Sequence, residues 1–125
     1  KRPMSTMNPV IVKNKDNNIS IVTGSPGGSF IPAAALRVIT GIIDFNLDVG
    51  QATMLPRIHK DWPYAGLEYE STLSSDIVSV LERLGHQPEP SKTLGSTQSI
   101  TIIDGINYGY ADLRRPNAGV AIQVD

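Results

Sequence analysis

Ile19-Ser20-Ile21-Val22-Thr23-Gly24-Ser25-Pro26-Gly27-Gly28-Ser29 is the stretch whose reading decides the fold. A β-branched run enters a turn of Gly, Ser and Pro, and the long apolar segment from Phe30 to Leu47 follows. That order predicts strand, glycine turn, helix. Such a turn can offer the backbone N–H groups of Gly27 and Gly28 beside the positive end of a helix. Two donors of this kind are what an oxyanion needs during acyl transfer. Glycine lets a substrate reach them because no Cβ stands in the way. The same residues also fit a tight βα turn that binds nothing. The phosphate-loop spacings G-x-G-x-x-G and G-x-x-x-x-G-K-[ST] are both missing.

Upstream, Val10-Ile11-Val12 and Ile19 to Val22 flank the polar stretch Lys13 to Asn18, which predicts a β-hairpin. Downstream, Ser29 is the expected N-cap and Pro32 falls in the first helical turn. Ala35, Val38, Ile39, Ile42 and Phe45 share one helical face. Leu36, Ile43 and Leu47 form another flank, so the helix is expected to be covered on more than one side, with Arg37 exposed. A short helix over Val49 to Met54 stops before Pro56, and Leu67-Glu68-Tyr69 reads as a brief strand. Ser74 or Ser75 should cap a helix running to Leu84, burying Ile77, Val78, Val80, Leu81 and Leu84, with Gly85 ending it. Thr97 to Ile103, Asp104-Gly105 and Ile106 to Ala111 form a second hairpin. One α+β unit over residues 1–125 accounts for these elements.

The chain has 125 residues, of which 40% are hydrophobic and 18% charged, which excludes a disordered chain. A net charge of -1 gives no electrostatic case for nucleic acid or an anionic membrane. With no cysteine, disulfides, thiol catalysis and Cys-ligated zinc are excluded. No apolar run reaches membrane-spanning length, so no membrane insertion is expected of this chain. His59 is expected to be structural and His86 to lie at the surface behind a helix end. Asp44 and Asp48 are expected on a solvated face; Arg114-Arg115 are expected at the surface by default, with pairing to carboxylates such as Asp112 as the alternative. No ligand cluster points to a metal, and no cofactor is expected.

Five stretches carry a resemblance: Arg2-Pro3-Met4-Ser5-Thr6-Met7-Asn8-Pro9, Thr23 to Ser29, Ala52-Thr53-Met54-Leu55-Pro56-Arg57-Ile58-His59, Gly95-Ser96-Thr97-Gln98 and Ala111-Asp112-Leu113-Arg114-Arg115-Pro116. Their order and spacing resemble the C-terminal part of the γ-glutamyltransferase small subunit, over nearly all of the chain. The resemblance implies part of an N-terminal-nucleophile hydrolase, an αββα sandwich. It implies a precursor that cuts itself into two subunits. A threonine at the new N-terminus then attacks γ-glutamyl compounds such as glutathione, and the acyl group passes to water or an amino acceptor. Gly27 and Gly28 fall where that family places its oxyanion-hole N–H groups. Ser5 and Thr6 fall where paired hydroxyls help hold the substrate's α-carboxylate.

A buried carboxylate needs several donors, which neighbouring hydroxyls and their amides can supply. Two ordinary loop residues near a chain end are the alternative. Thr6 stands where the family usually has a second serine, and Leu113 where it usually has proline. Lys1 is no Thr, Ser or Cys, so the nucleophile is expected upstream, in the remainder of the same precursor. The large subunit and the first part of the small subunit are thus the expected partners, and the isolated chain is expected to be inactive. An apolar sheet face built to meet the rest of the sandwich should be exposed. The resemblance also implies a periplasmic or secreted protein. Two alternatives stay open: a non-catalytic relative serving as a peptide-binding or scaffold module, and a cephalosporin-type acylase.

Overall fold

The computed structural model describes residues 7–64 and 66–121. They form two compact units: the residues up to Leu55 with those from Gly95 onward, and the intervening Pro56–Leu94. The sequence reading treats 1–125 as one unit, because one sheet with covering helices accounts for all the elements it expects.

The first unit is built on a four-stranded antiparallel sheet in the order β1-β2-β6-β7. β1 (Val10–Lys13) and β2 (Ile19–Gly24) form the expected hairpin. β6 (Gln98–Ile103) and β7 (Ile106–Ala111) form the second. Its two turn residues, Asp104 (φ 51°) and Gly105 (φ 80°), are both left-handed, as a two-residue Asp-Gly hairpin turn requires. The hairpins join through β2 and β6, with Ile21 opposite Thr101 and Thr23 opposite Ser99. Thr23 and Ser99 face each other at 2.8 Å between their hydroxyl oxygens, so this part of the core face satisfies its own polar groups.

Helices α1 (Ile31–Ile43) and α2 (Val49–Met54) pack together and against this sheet. Ile31, Ala34, Ala35 and Val38 of α1 are buried, with Val49 and Ala52 of α2. Full burial of one such aliphatic side chain contributes about 2 kcal/mol. The helices meet at small residues: a Cβ on Gly41 would come 2.9 Å from the Cβ of Ala52, so only glycine fits there. Asp48 and Gln51 form a capping box at the start of α2, and Asp48 stays exposed on the solvated face expected for it. Three expectations for α1 are corrected. Ser29 does not cap it; Ser29 lies inside a 3₁₀ turn, Gly28–Phe30, and Phe30 occupies the cap position with no side-chain bond. Phe45 lies beyond the helix end and is exposed, as are Leu36 and Ile43, so the outer side of α1 is uncovered here. Arg37 is half-buried and not fully exposed.

The opposite sheet face carries Ile11, Val22 and Ile100 in one cross-strand row. Ile11 and Ile100 are exposed, so an apolar sheet face is presented as expected.

In the second unit, β3 (Ile58–His59) runs antiparallel to β4 (Gly66–Glu70), and β4 pairs in parallel with β5 (Gln87–Ser91) across helix α3 (Ser75–Arg83). Pro88 and Pro90 lie two residues apart in β5, so their missing N–H groups fall on one side. β5 is an end strand of this sheet and can leave that side open. α3 ends in a Schellman motif: Gly85 (φ 86°) donates to Glu82 and His86 to Leu81. Ser74 is its N-cap position, without a side-chain bond. The expected buried side is corrected too. No α3 residue is buried; Val78 and Leu81 are half-buried, while Ile77, Val80 and Leu84 are exposed. Among the described residues no helix is long and apolar enough to cross a membrane.

Candidate active site

β2 ends at Gly24, and the chain then makes the turn Ser25-Pro26-Gly27-Gly28 before entering the 3₁₀ turn and α1. Gly27 and Gly28 are both exposed and both have positive φ, 137° and 59°. The two glycines are required for different reasons. A Cβ on Gly27 would approach the Cα of Gly95 to 3.2 Å, so two backbones touch there. A Cβ on Gly28 would meet nothing within 4 Å, so this position faces open space and glycine serves only its left-handed conformation. The turn therefore presents bare backbone at the start of a helical run. The partial positive charge of the helix end can act there on an approaching anion.

Behind the turn lies the segment Gly95 to Thr97. The Ser25 hydroxyl donates to the Pro26 carbonyl (2.6 Å) and accepts from the Ser96 amide (2.9 Å). Gly95 has φ 83°, and a Cβ there would come 2.8 Å from Ser25 Oγ. The Thr97 amide donates to Asp112 Oδ2 (2.9 Å), and the Asp112 amide returns a bond to the Thr97 carbonyl (3.1 Å). Asp112 is fully buried. Its Oδ1 accepts from the Arg114 amide (3.0 Å) and from Arg114 Nη1 (3.2 Å). Arg114 also donates to the carbonyls of Thr53 (2.9 Å) and Leu55 (3.0 Å), at the C-terminal end of α2. A cation on those carbonyls opposes the negative end of the helix. Arg114 is thus an internal clamp: its default surface placement is corrected, the pairing with Asp112 is the one the sequence offered, and Arg115 is exposed. Spacing alone could not reveal a bond to a helix about sixty residues earlier. Four of the five motif stretches quoted above are joined by this one set of hydrogen bonds.

Ser5 and Thr6 lie outside the described residues. His59 is largely buried, and its Nε2 lies 2.9 Å from Asp61 Oδ1. His86 is half-buried. Among the described residues no group of three or more His, Asp or Glu side chains could hold a metal ion. A groove of about 800 Å³ in the first unit, lined by Ile42, Leu47, Val49, Thr101, Tyr108 and Tyr110, is apolar. Asp48 is the only ionisable carboxylate on its walls, so its chemistry offers less than the glycine turn does.

The sequence model of the gamma-glutamyltranspeptidase family matches residues 1–122. The chain belongs to this family. It is 43% identical over 115 residues to the glutathione hydrolase proenzyme of Escherichia coli K12, covering 91% of this chain and 20% of that protein. It superposes on the T380A mutant of Helicobacter pylori gamma-glutamyltranspeptidase with a TM-score of 0.85 at 35% identity, covering 92% of this chain and 64% of that one. It also superposes on the cephalosporin acylase of Bacillus halodurans, with a TM-score of 0.82 at 25% identity, covering 90% of this chain and 22% of that one. The chain thus spans about a fifth of the length of the curated E. coli relative. As a gamma-glutamyltranspeptidase family member it has the α+β architecture of the N-terminal-nucleophile hydrolases. The antiparallel sheet with helices on one face is part of their αββα sandwich.

Proposed function

We propose that the protein containing these residues cleaves glutathione and other γ-glutamyl compounds through a threonine acyl-enzyme. In this reading the nucleophile and the large subunit come from the remainder of the same precursor. The threonine hydroxyl adds to the γ-glutamyl carbonyl, and its proton passes to the threonine's own amino group. The carbonyl oxygen becomes an oxyanion that the Gly27 and Gly28 amides stabilise. Collapse expels the amine, which takes up the proton, and leaves an ester. Water or an amino acceptor then takes the acyl group. Ser5 and Thr6 hold the α-carboxylate.

The observation that carries this reading is the pair of exposed glycines at positive φ leading into a helical run. It occurs in a chain 43% identical to a glutathione hydrolase proenzyme. The likeness to a cephalosporin acylase supports a second reading, with the same oxyanion chemistry applied to a different acyl group. Side-by-side turnover of a γ-glutamyl anilide and a glutaryl cephalosporin distinguishes the two.

Gly28→Val tests the oxyanion role. Its Cβ meets no neighbour in this chain, so the structural cost is the strain of a left-handed residue, about 1–2 kcal/mol. The expected result is a kcat about a hundredfold lower per titrated active site, with KM changed much less. An unchanged kcat per active site would remove the oxyanion role and leave both glycines turn formers.

A further inference from the structure

We propose that Ser25 is a positioning residue that aims the Gly27 amide. This rests on the oxyanion reading of the glycine turn.

The Ser25 hydroxyl donates to the carbonyl of Pro26 at 2.6 Å. That carbonyl and the N–H of Gly27 belong to one peptide plane. A trans peptide is rigid, and its N–H points away from its C=O. Fixing the Pro26 oxygen therefore fixes the direction of the Gly27 N–H. The same bond polarises the peptide and strengthens the N–H as a donor. Ser25 is held in turn, because its oxygen accepts the Ser96 amide at 2.9 Å. The Ser96 segment is anchored through Thr97 to buried Asp112, and Asp112 through Arg114 to the end of α2. A glycine-rich turn has little stiffness of its own. Here Ser25 holds the peptide plane ahead of Gly27, while the Gly27 carbonyl accepts the Phe30 amide at 3.1 Å and the Gly27 backbone lies close against Gly95.

The test compares Ser25→Ala, Ser25→Thr and Gly28→Val in the full-length, processed protein with γ-glutamyl p-nitroanilide as probe. Active sites are counted by titration, so loss of folding or self-processing does not enter kcat. Ser25→Ala should lower kcat about tenfold to a hundredfold with KM within about twofold, because the misaimed donor acts on the transition state. Ser25→Thr keeps the hydroxyl and should recover most of the loss. In the double variant Ser25→Ala/Gly28→Val the losses should be less than multiplicative, because both act on one oxyanion site. A wild-type kcat in Ser25→Ala, alongside a low kcat in Gly28→Val, overturns this inference and leaves the oxyanion reading standing. A wild-type kcat in Gly28→Val overturns the oxyanion reading itself. If Ser25→Ala yields no processed enzyme, Gly95→Ala replaces it, since its Cβ presses on Ser25 Oγ at 2.8 Å. A wild-type kcat in that variant overturns the inference equally.

Discussion

Asp112 in the first unit and Glu70 in the second are both buried carboxylates, and both tie together backbone distant in sequence. Glu70 accepts the Arg57 amide on one oxygen and the Leu94 amide on the other, each at 3.0 Å. Its own amide donates to the Arg57 carbonyl, and Arg57 Nη1 donates to the Leu94 carbonyl. It thereby closes the two ends of the segment Pro56–Leu94. Asp112 joins the entry of β6 to the exit of β7 and recruits Arg114 to the end of α2. A carboxylate serves such a junction well because it accepts several donors at once. The two clasps differ in what lies next to them. Asp112 is two hydrogen bonds from the glycine turn, through Thr97 and Ser96, whereas Glu70 holds its own unit closed.

The largest expected effect is that of Asp112→Ala. It removes the acceptor of the Thr97 and Arg114 amides and leaves a largely buried guanidinium without its carboxylate. The expected cost is about 3–5 kcal/mol, as when one partner of a buried pair is lost. Denaturant unfolding of the purified protein measures it, and amide exchange should quicken in β6 and β7 first. A loss below about 1 kcal/mol would show that the two clasps are not of one kind.

The sequence made the first unit far more legible than the second. Hairpin patterns, the Asp-Gly turn and the glycine turn are local signals, and each fell where the alternation of apolar residues placed it. The β2–β6 pairing joins residues some eighty positions apart, so no local pattern could announce it. In the second unit no strand is expected over β5, where Pro88 and Pro90 cannot donate to a ladder. They are tolerated only because β5 is an end strand, and that is a fact of topology. The expected buried side of α3 is not buried, because its periodicity is strong while the sheet beside it is narrow. At the site, the glycines announced themselves by residue type. Ser25 did not, and of the Arg114 partners only the neighbouring Asp112 was legible, since the Ser96 amide and the carbonyls of α2 are partners that spacing does not reveal.

Glu70→Gln gives a smaller effect and separates the clasps by function. The amide keeps one acceptor oxygen and turns an NH₂ toward either the Arg57 or the Leu94 amide. One buried N–H is left unpaired, at a cost of about 1–3 kcal/mol. The amide that faces the NH₂ should lose exchange protection selectively. Turnover of a γ-glutamyl anilide per titrated active site should stay within about twofold of wild type. A kcat loss as large as that of Ser25→Ala would mean that the second clasp also governs the glycine turn.

Asp48 sharpens the comparison from the other side, because it makes a comparable backbone bond at the surface. Its Oδ1 accepts the Gln51 amide at 2.7 Å, and Gln51 Oε1 accepts the Asp48 amide at 3.2 Å. Water can replace the lost acceptor once the side chain is truncated, so no buried donor is orphaned. Asp48→Ala should therefore cost about 1 kcal/mol, the usual worth of an N-cap. Asp48→Asn keeps an acceptor oxygen and should recover most of it. The same denaturant measurement serves all three carboxylates. The expected order is Asp112, then Glu70, then Asp48, following the number of buried donors each leaves behind. A cost at Asp48 equal to that at Glu70 would show that burial is not what gives these clasps their strength.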